Sequence, residues 1–144
     1  MSSTHRSLAI RWMEEVWNRR RIETVDELMA VDAVGHMEGA EVHGREAFKA
    51  ARAQLLGAFP DLRVSIEDTA ADGDHVVVRW TVNAHHAGDD LGIAATHAPV
   101  SFRGLTWLRF SQGQIVEGWD CWNQGGLLQR LQSCPDASVA TGVT

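Results

Sequence analysis

The period of the apolar residues changes at Pro60, and this change limits the chain to folds in which helices precede a sheet. Before Pro60 the apolar residues recur every three or four positions, which predicts helices over residues 4–19, 24–29 and 45–58. After Pro60 they alternate, which predicts four long strands, over residues 62–67, 75–86, 99–110 and 114–122. Because helices and strands are segregated and the turns are short, we expect an α+β fold with a mostly antiparallel sheet.

The remaining segments carry weaker patterns. Residues 33–43 lack a helical period and predict a loop with one or two short strands. Thr24 and Glu27 have the spacing of a capping box at the start of the second helix. A short helix over 126–131 ends the pattern. We therefore expect one domain and a flexible C-terminal tail, over residues 1–132 and 133–144.

Both faces of the long strands carry apolar residues. In the second strand, Val76, Val78 and Trp80 lie on one face and Val77 lies on the other. A curved sheet can use both faces, because one lines a cavity under the helices and the other meets a second subunit. The chain also has six Trp and four Phe but no Tyr, which favours a heavy core or an aromatic-lined cavity.

Charge and cysteine content argue against several classes of function. The formal net charge of -6 repels a phosphate backbone, so we expect no nucleic-acid partner. No run reaches the apolar length of a membrane span and the N-terminus lacks a secretory pattern, so we expect no membrane partner and a cytoplasmic protein. Cys121 and Cys134 lack metal-ligand spacing, and a disulfide between them stays open.

Several short motifs occur together in the order and spacing of a known family. They are Trp17-Asn18, Phe59-Pro60-Asp61, Arg79-Trp80-Thr81, His86 with Gly88, Gly113 to Glu117 with Trp119, and Gly126-Leu127-Leu128 with Leu131. Over about residues 5–132 the chain resembles the SnoaL-like polyketide cyclases of the nuclear transport factor 2-like (NTF2-like) superfamily. The resemblance implies a cone-shaped fold, in which helices pack on a strongly curved, mostly antiparallel sheet that encloses a pocket.

The resemblance also implies a chemistry. The founding members of the family close rings in polyketide methyl esters by an intramolecular aldol reaction, with one aspartate as general acid/base. They use neither a metal nor an organic cofactor, and they usually form homodimers through the outer face of the sheet. The resemblance therefore implies a cofactor-independent enzyme that performs aldol-type cyclisation, isomerisation or elimination on a small apolar carbonyl substrate.

Asp120 is the first candidate for the catalytic acid/base. It falls where the cyclases carry their aspartate, seven residues after Gly113 on the last strand, and alternation gives it a common face with Val116 and Trp122. A carboxylate in an apolar cavity loses hydration, which raises its pKa towards the pH at which a general acid/base works best. The alternative is a strand-end aspartate that caps the following helix.

His36 is the second catalytic candidate. The resemblance places it in a loop that faces the ligand, where an imidazole could share a proton with Asp120 or bind a substrate carbonyl; the alternative is a surface histidine. On the penultimate strand the prototype cyclase has a glutamine and a histidine, whereas this chain has Gly104 and Thr106. The substrate is therefore expected to differ from that of the prototype, with Thr106 as a candidate hydrogen-bond partner.

Other residues are candidates for substrate contact through the pocket wall. His86 matches a family position near the mouth of the cone. The expected aromatic liners are Trp12, Phe59, Trp80, Phe102 and Trp122. Core packing is the alternative for each of them.

Three other interpretations remain open. A zinc site could draw on His85, His86 and His97, although neighbours on a strand point to opposite faces, so we expect no metal. An epoxide-type hydrolase on this scaffold would need an Asp-Arg-Asp set that activates water, and Asp61 and Asp68 are more typical of rim residues. A non-catalytic small-molecule-binding protein would keep the cavity and perform no chemistry.

Overall fold

The computed structural model describes residues 2–37 and 39–133. Its helices are α1 (Ser2–Trp12), α2 (Glu23–Leu28), α3 (Arg45–Ala58) and α4 (Gln124–Ser133). Its strands are β1 (Met29–Met37), β2 (Ala40–His43), β3 (Arg63–Asp72), β4 (His75–His85), β5 (Pro99–Ser111) and β6 (Gln114–Trp122). The predicted tail, apart from Ser133, lies outside the described residues, as does Cys134.

The six strands form one curled sheet in the order β2-β1-β6-β5-β4-β3. The pairs β3–β4, β4–β5 and β5–β6 are antiparallel, as the short turns between them predict, whereas β1 runs parallel to β6. The α+β architecture predicted from the sequence is therefore confirmed. The prediction of a loop with one or two short strands over residues 33–43 is wrong in one respect, because β1 is a strand of 9 residues that lies between β2 and β6.

The first helix changes its hydrogen-bond pattern halfway along. After Trp12 it continues as a π-helical segment, Met13–Asn18, which ends on the sheet. There the Asn18 side-chain amide donates to the carbonyl of Val64 (2.9 Å) and accepts from its N–H (2.7 Å), so Asn18 substitutes for a neighbouring strand. These two hydrogen bonds anchor the end of the π-helical segment to β3.

The predicted capping box is wrong. Thr24 is already inside α2 and its hydroxyl donates to the Glu15 carboxylate at 2.6 Å, while Glu27 pairs with Arg11 and Arg21. The side chains of this region bind the first helix to the second rather than cap a helix start.

The sheet separates a buried face from a partly exposed one. On β4 the side chains of Val76, Val78 and Trp80 are buried under the helices. On the outer face of β5, by contrast, Leu105 and Trp107 are 43% and 46% exposed. Among the described residues, no helix is long and apolar enough to cross a membrane.

Candidate active site

A cavity of about 310 Å³ lies between α3, the π-helical segment and the inner face of the sheet. Its wall is mostly apolar. Five of the residues that the sequence singled out lie together in this wall: Trp80, Phe102, Thr106, Asp120 and Trp122.

Asp120 stands at the end of a hydrogen-bonded chain that crosses three strands. The indole N–H of Trp80 on β4 donates to Thr106 Oγ1 on β5 at 2.8 Å, and the Thr106 hydroxyl donates to Asp120 Oδ1 on β6 at 2.6 Å. Antiparallel pairing sets this geometry, because Thr106 is the register partner of Asp120. Thr106 therefore positions the carboxylate, and its proton is no longer available to a substrate carbonyl.

Burial raises the pKa of Asp120, and the hydrogen bond from Thr106 offsets part of that effect. The half-buried side chain of Asp120 lines the cavity. Oδ2 has no hydrogen-bond partner within the part of the chain that the structure describes. Asp120 thus has one fixed oxygen and one oxygen that can accept or give a proton in the cavity.

The alternative role of Asp120, as a cap for the next helix, belongs to another residue. Asn123 Oδ1 accepts from the backbone N–H of Gly126 at 2.8 Å, and the Asn123 carbonyl accepts from Leu127 at 3.1 Å. A side-chain acceptor just before a helix is the usual N-cap arrangement. Asn123, and not Asp120, therefore caps α4.

The expected common face of Val116 and Asp120 is interrupted by a β-bulge. Arg109 pairs with Glu117, but the next residue, Phe110, pairs with Ile115, so β6 has one extra residue at this point. The alternation argument for Asp120 holds only on its C-terminal side, where Trp122 also lines the cavity.

Gly104 explains how two indoles fit beside the aspartate. It pairs with Trp80 on one neighbouring strand and with Trp122 on the other. A Cβ at Gly104 would lie 2.5 Å from the carbonyl oxygen of Cys121 and 2.9 Å from the Trp80 ring. The ring of Trp122 stacks on Phe102 at 4.6 Å, so the space that a side chain at 104 would need is filled by aromatic rings.

Arg52 lies in the cavity wall and escaped the sequence analysis. It is 8% exposed, and its Nε donates to the carbonyl of Val16 at 3.1 Å. Burial lowers the pKa of its guanidinium, and the neighbouring charge of Arg20 adds to that effect. The signal in the sequence was a charged residue on the apolar side of α3, in register with Phe48 and Leu55.

The other predicted liners lie elsewhere. Trp12 borders a smaller hollow of about 60 Å³, which also reaches Thr106 and Asp120. Phe59 is fully buried and packs against His86 and Phe102, with ring centroids 5.7 and 6.0 Å apart. The structure therefore places Phe59 behind the cavity wall.

His86 is fully buried in the core and does not line the cavity, so its predicted place near the mouth is wrong. Its Nδ1 accepts from the backbone N–H of Thr96 at 3.2 Å. Its Nε2 is buried without a partner among the described residues. Burial, and then the charge of His97, lowers the pKa of the imidazole, which favours the neutral ring.

The prediction that His36 faces the pocket is also wrong. His36 lies on the outer face of the sheet, where its ring stacks on Trp119 with centroids 5.4 Å apart. Its two ring nitrogens lie 2.8 Å from Glu41 Oε2 and 2.7 Å from Glu117 Oε2. The Glu117 contact, and then the Glu41 contact, raise its pKa, which favours an imidazolium in a surface ion pair.

The zinc and hydrolase interpretations find no matching geometry. Among residues 2–37 and 39–133, no group of three or more His, Cys, Asp or Glu side chains is arranged to hold a metal ion. His85 pairs with Asp61 at 2.7 Å on the surface, and Asp68 lies at 4.0 Å from Arg79 there. Neither aspartate lines the cavity, so the described residues do not assemble an Asp-Arg-Asp set around Asp120.

Comparison with known proteins extends the likeness to the whole domain. The sequence model of the SnoaL-like polyketide cyclases matches residues 7–131. A proposed SnoaL-like polyketide cyclase from Jannaschia sp. CCS1 has the same fold, with a TM-score of 0.87 at 22% identity, over 93% of this chain and 95% of the other. No match was found among curated proteins.

Two further solved structures are more similar in sequence. AclR from Streptomyces galilaeus, a proposed hydroxylase, is 30% identical with a TM-score of 0.82, over 94% of this chain and all 100% of its own. IdmH from Streptomyces antibioticus, a proposed polyketide cyclase, is 26% identical with a TM-score of 0.76, over 89% of this chain and 98% of its own.

Proposed function

The chain belongs to the SnoaL-like polyketide cyclase family, and we propose that it is a cofactor-independent enzyme that moves protons on a small apolar carbonyl substrate. The reaction class is aldol-type ring closure, isomerisation or elimination. Asp120 is the general acid/base. Trp80, Phe102 and Trp122 bind the apolar part of the substrate and exclude water from the reacting carbon.

The observation that supports this proposal is the state of the Asp120 carboxyl group. Thr106 fixes Oδ1, Oδ2 is open to the cavity, and burial raises the pKa. A carboxylate that has lost hydration is a stronger base than one in water, and a raised pKa lets the same group return the proton.

For ring closure the steps balance without a further reactant. Asp120 takes a proton from the carbon beside a substrate carbonyl, and the electron pair of the broken C–H bond forms an enolate. The enolate carbon attacks a second carbonyl of the same molecule, so one C–C bond forms and one C=O bond becomes an alkoxide. Asp120 then gives its proton to the alkoxide, which restores the carboxylate.

Deuterium exchange tests the first of these steps without knowledge of the natural substrate. Aryl ketones whose α-hydrogens exchange slowly in deuterium oxide are incubated with the protein, and uptake of deuterium is followed by NMR. We expect the protein to accelerate uptake for at least one ketone that fits the cavity. Asp120→Asn should lower the exchange rate by about a hundredfold or more, because general acid/base catalysis contributes about that much.

The matched control removes a carboxylate outside the cavity. Asp68 is exposed on β3, so Asp68→Asn should leave the exchange rate unchanged. Full exchange activity in Asp120→Asn would contradict the proposal. Tight binding of the ketones with no exchange in the unmutated protein would favour a non-catalytic binding protein.

A further inference from the structure

We propose that Arg52 forms an anion-binding subsite in the cavity, and that the substrate is an apolar carbonyl compound with a carboxylate or a similarly acidic oxygen. The inference rests on the proposed function for the reacting half of the molecule. It adds the chemical nature of the other half of the substrate, which the position of Asp120 alone does not determine.

The first observation is that Arg52 is buried with most of its hydrogen-bonding capacity unused. Within the described part of the chain, only Nε forms a hydrogen bond, to the carbonyl of Val16. The two terminal amino groups have no hydrogen-bond or ion-pair partner anywhere in the described ranges 2–37 and 39–133. An arginine that is 8% exposed normally has a carboxylate or several carbonyls around it, because burying an unpaired charge is costly.

The second observation is the contrast with Arg20, which also binds a carbonyl near the end of the π-helical segment but has a purely structural role. Arg20 donates to the carbonyls of Trp17, Pro60 and Leu62, so its guanidinium is bound on both sides. The hydrogen bond to one carbonyl accounts for the Nε of Arg52, but it leaves the terminal amino groups without a partner among the described residues, on a side chain that lines the cavity. The neighbouring charge of Arg20 makes this end of the cavity still more attractive to an anion.

The third observation is the distribution of charge in the cavity. Among the described lining residues only Arg52 and Asp120 carry a charge, and no ion pair joins them. They lie on different walls, on α3 and β6. A guanidinium presents two parallel N–H donors that match a carboxylate. A substrate whose acidic group binds Arg52 would be held with its apolar middle among the rings and its carbonyl end near Asp120.

A matched pair of probes measures this preference. Naphthoate and its methyl ester have the same apolar ring system and differ in charge. Their dissociation constants at neutral pH are measured by quenching of tryptophan fluorescence, since Trp80 and Trp122 lie in the wall. We expect naphthoate to bind at least about tenfold more tightly than the ester, as charge-assisted hydrogen bonds are stronger than neutral ones.

Three variants assign the preference to one residue. Arg52→Gln should bind acid and ester about equally, whereas Arg52→Lys, which keeps the charge, should retain part of the preference. Arg79→Gln removes the same charge from the exposed surface of β4 and should behave like the unmutated protein. Thermal unfolding of each variant checks that it is folded.

The outcomes separate this inference from the proposed function. Equal binding of acid and ester by the unmutated protein overturns the subsite, whatever the variants do. An equal loss of preference in Arg79→Gln and Arg52→Gln also overturns it, because the effect would then come from net charge. If Asp120→Asn keeps its exchange activity while the acid preference depends on Arg52, the subsite stands and the catalytic role of Asp120 fails.

Discussion

Asp120 lies on β6 with its side chain on the cavity side, in surroundings that are unfavourable for a charged carboxylate. Its charged form is desolvated, and the hydrogen bond from Thr106 opposes this. The same desolvation that suits proton transfer should therefore lower the stability of the folded chain when the group is ionised.

This conflict predicts that Asp120→Asn stabilises the protein at neutral pH. The folded-state pKa of Asp120 is raised above its ordinary value of 3.8, so the folded chain binds more protons than the unfolded chain between the two values. Stability is then lost as pH rises through that window, and the full penalty remains above it. Asparagine keeps an acceptor for the Thr106 hydroxyl and carries no charge.

Urea unfolding of Asp120→Asn and the unmutated protein across acidic and neutral pH measures the effect. The variant's advantage in unfolding free energy should be small near pH 3.8 and grow as pH rises. Asp68→Asn, which removes an exposed carboxylate, should show no such growth. A variant that is less stable than the parent at every pH would mean that the Asp120 carboxylate is not desolvated.

The sequence predicted individual residues well only where it also predicted their strand. Asp120 and Trp122 lie on β6 beyond the bulge, where alternation places both side chains on the cavity side, and Thr106, which the resemblance singled out, is the register partner of Asp120 on β5. His36 was assigned to a loop, and a loop gives no face. In the structure it occupies a strand position opposite Trp119, on the outer side.

At the level of elements, the sequence failed where tertiary contacts override local pattern. Strand β1 contains Asp32 and Gly35 and has little alternation, yet it sits between two other strands. Its pairing with β6 is parallel and distant in sequence, so no turn signal announces it. The π-helical segment has no sequence signal either, because its last residue, Asn18, is fixed by hydrogen bonds to Val64, which lies 46 positions further along the chain.

The site depends on close contact between β4, β5 and β6 at Gly104, which pairs with Trp80 on one side and Trp122 on the other. Gly104→Ala would bring a methyl group to 2.5 Å from a backbone oxygen and 2.9 Å from the Trp80 ring, and a backbone oxygen cannot move aside cheaply. We expect a loss of about 1–3 kcal/mol in unfolding free energy, the usual cost of overpacking. The displaced indole should also weaken its bond to Thr106 and so lower the exchange rate.

Gly125→Ala is the matched control for this substitution. Gly125 lies in α4, has no atom within 4 Å of an added Cβ, and has no unusual backbone angle. Its replacement should leave the unfolding free energy unchanged or slightly raised, since alanine favours a helix. Equal effects of the two substitutions would show that the space at Gly104 is not limiting.

At the scale of the whole molecule, the two faces of the curled sheet differ in burial and in what they contact. The inner face and the helices enclose the cavity. The outer face carries Leu105, Trp107 and Trp119 beside an ionic group of His36, Glu117 and Arg109. Leucine and tryptophan are therefore exposed side by side on this face, a composition that favours contact with another protein.

We expect that two copies of the chain pair through this outer face. Trp107 is 46% exposed and its ring packs edge-on against Trp119 at 6.4 Å, so a second copy could bury both rings at the centre of an interface. A stable pair would need to bury about 800 Å² on each partner. Analytical ultracentrifugation over a range of concentrations should show a dimer.

Trp107→Glu should shift it to a monomer, because two like charges would then be buried together. Ile10→Glu is the control, since Ile10 is an exposed apolar residue on α1, 38% accessible, and should leave the dimer intact. Because Arg52 lines the cavity and Trp107 lies on the opposite, outer face of the sheet, the monomeric variant should retain the preference for naphthoate over its ester. A dimer that survives Trp107→Glu but dissociates in Ile10→Glu would move the interface to the helices.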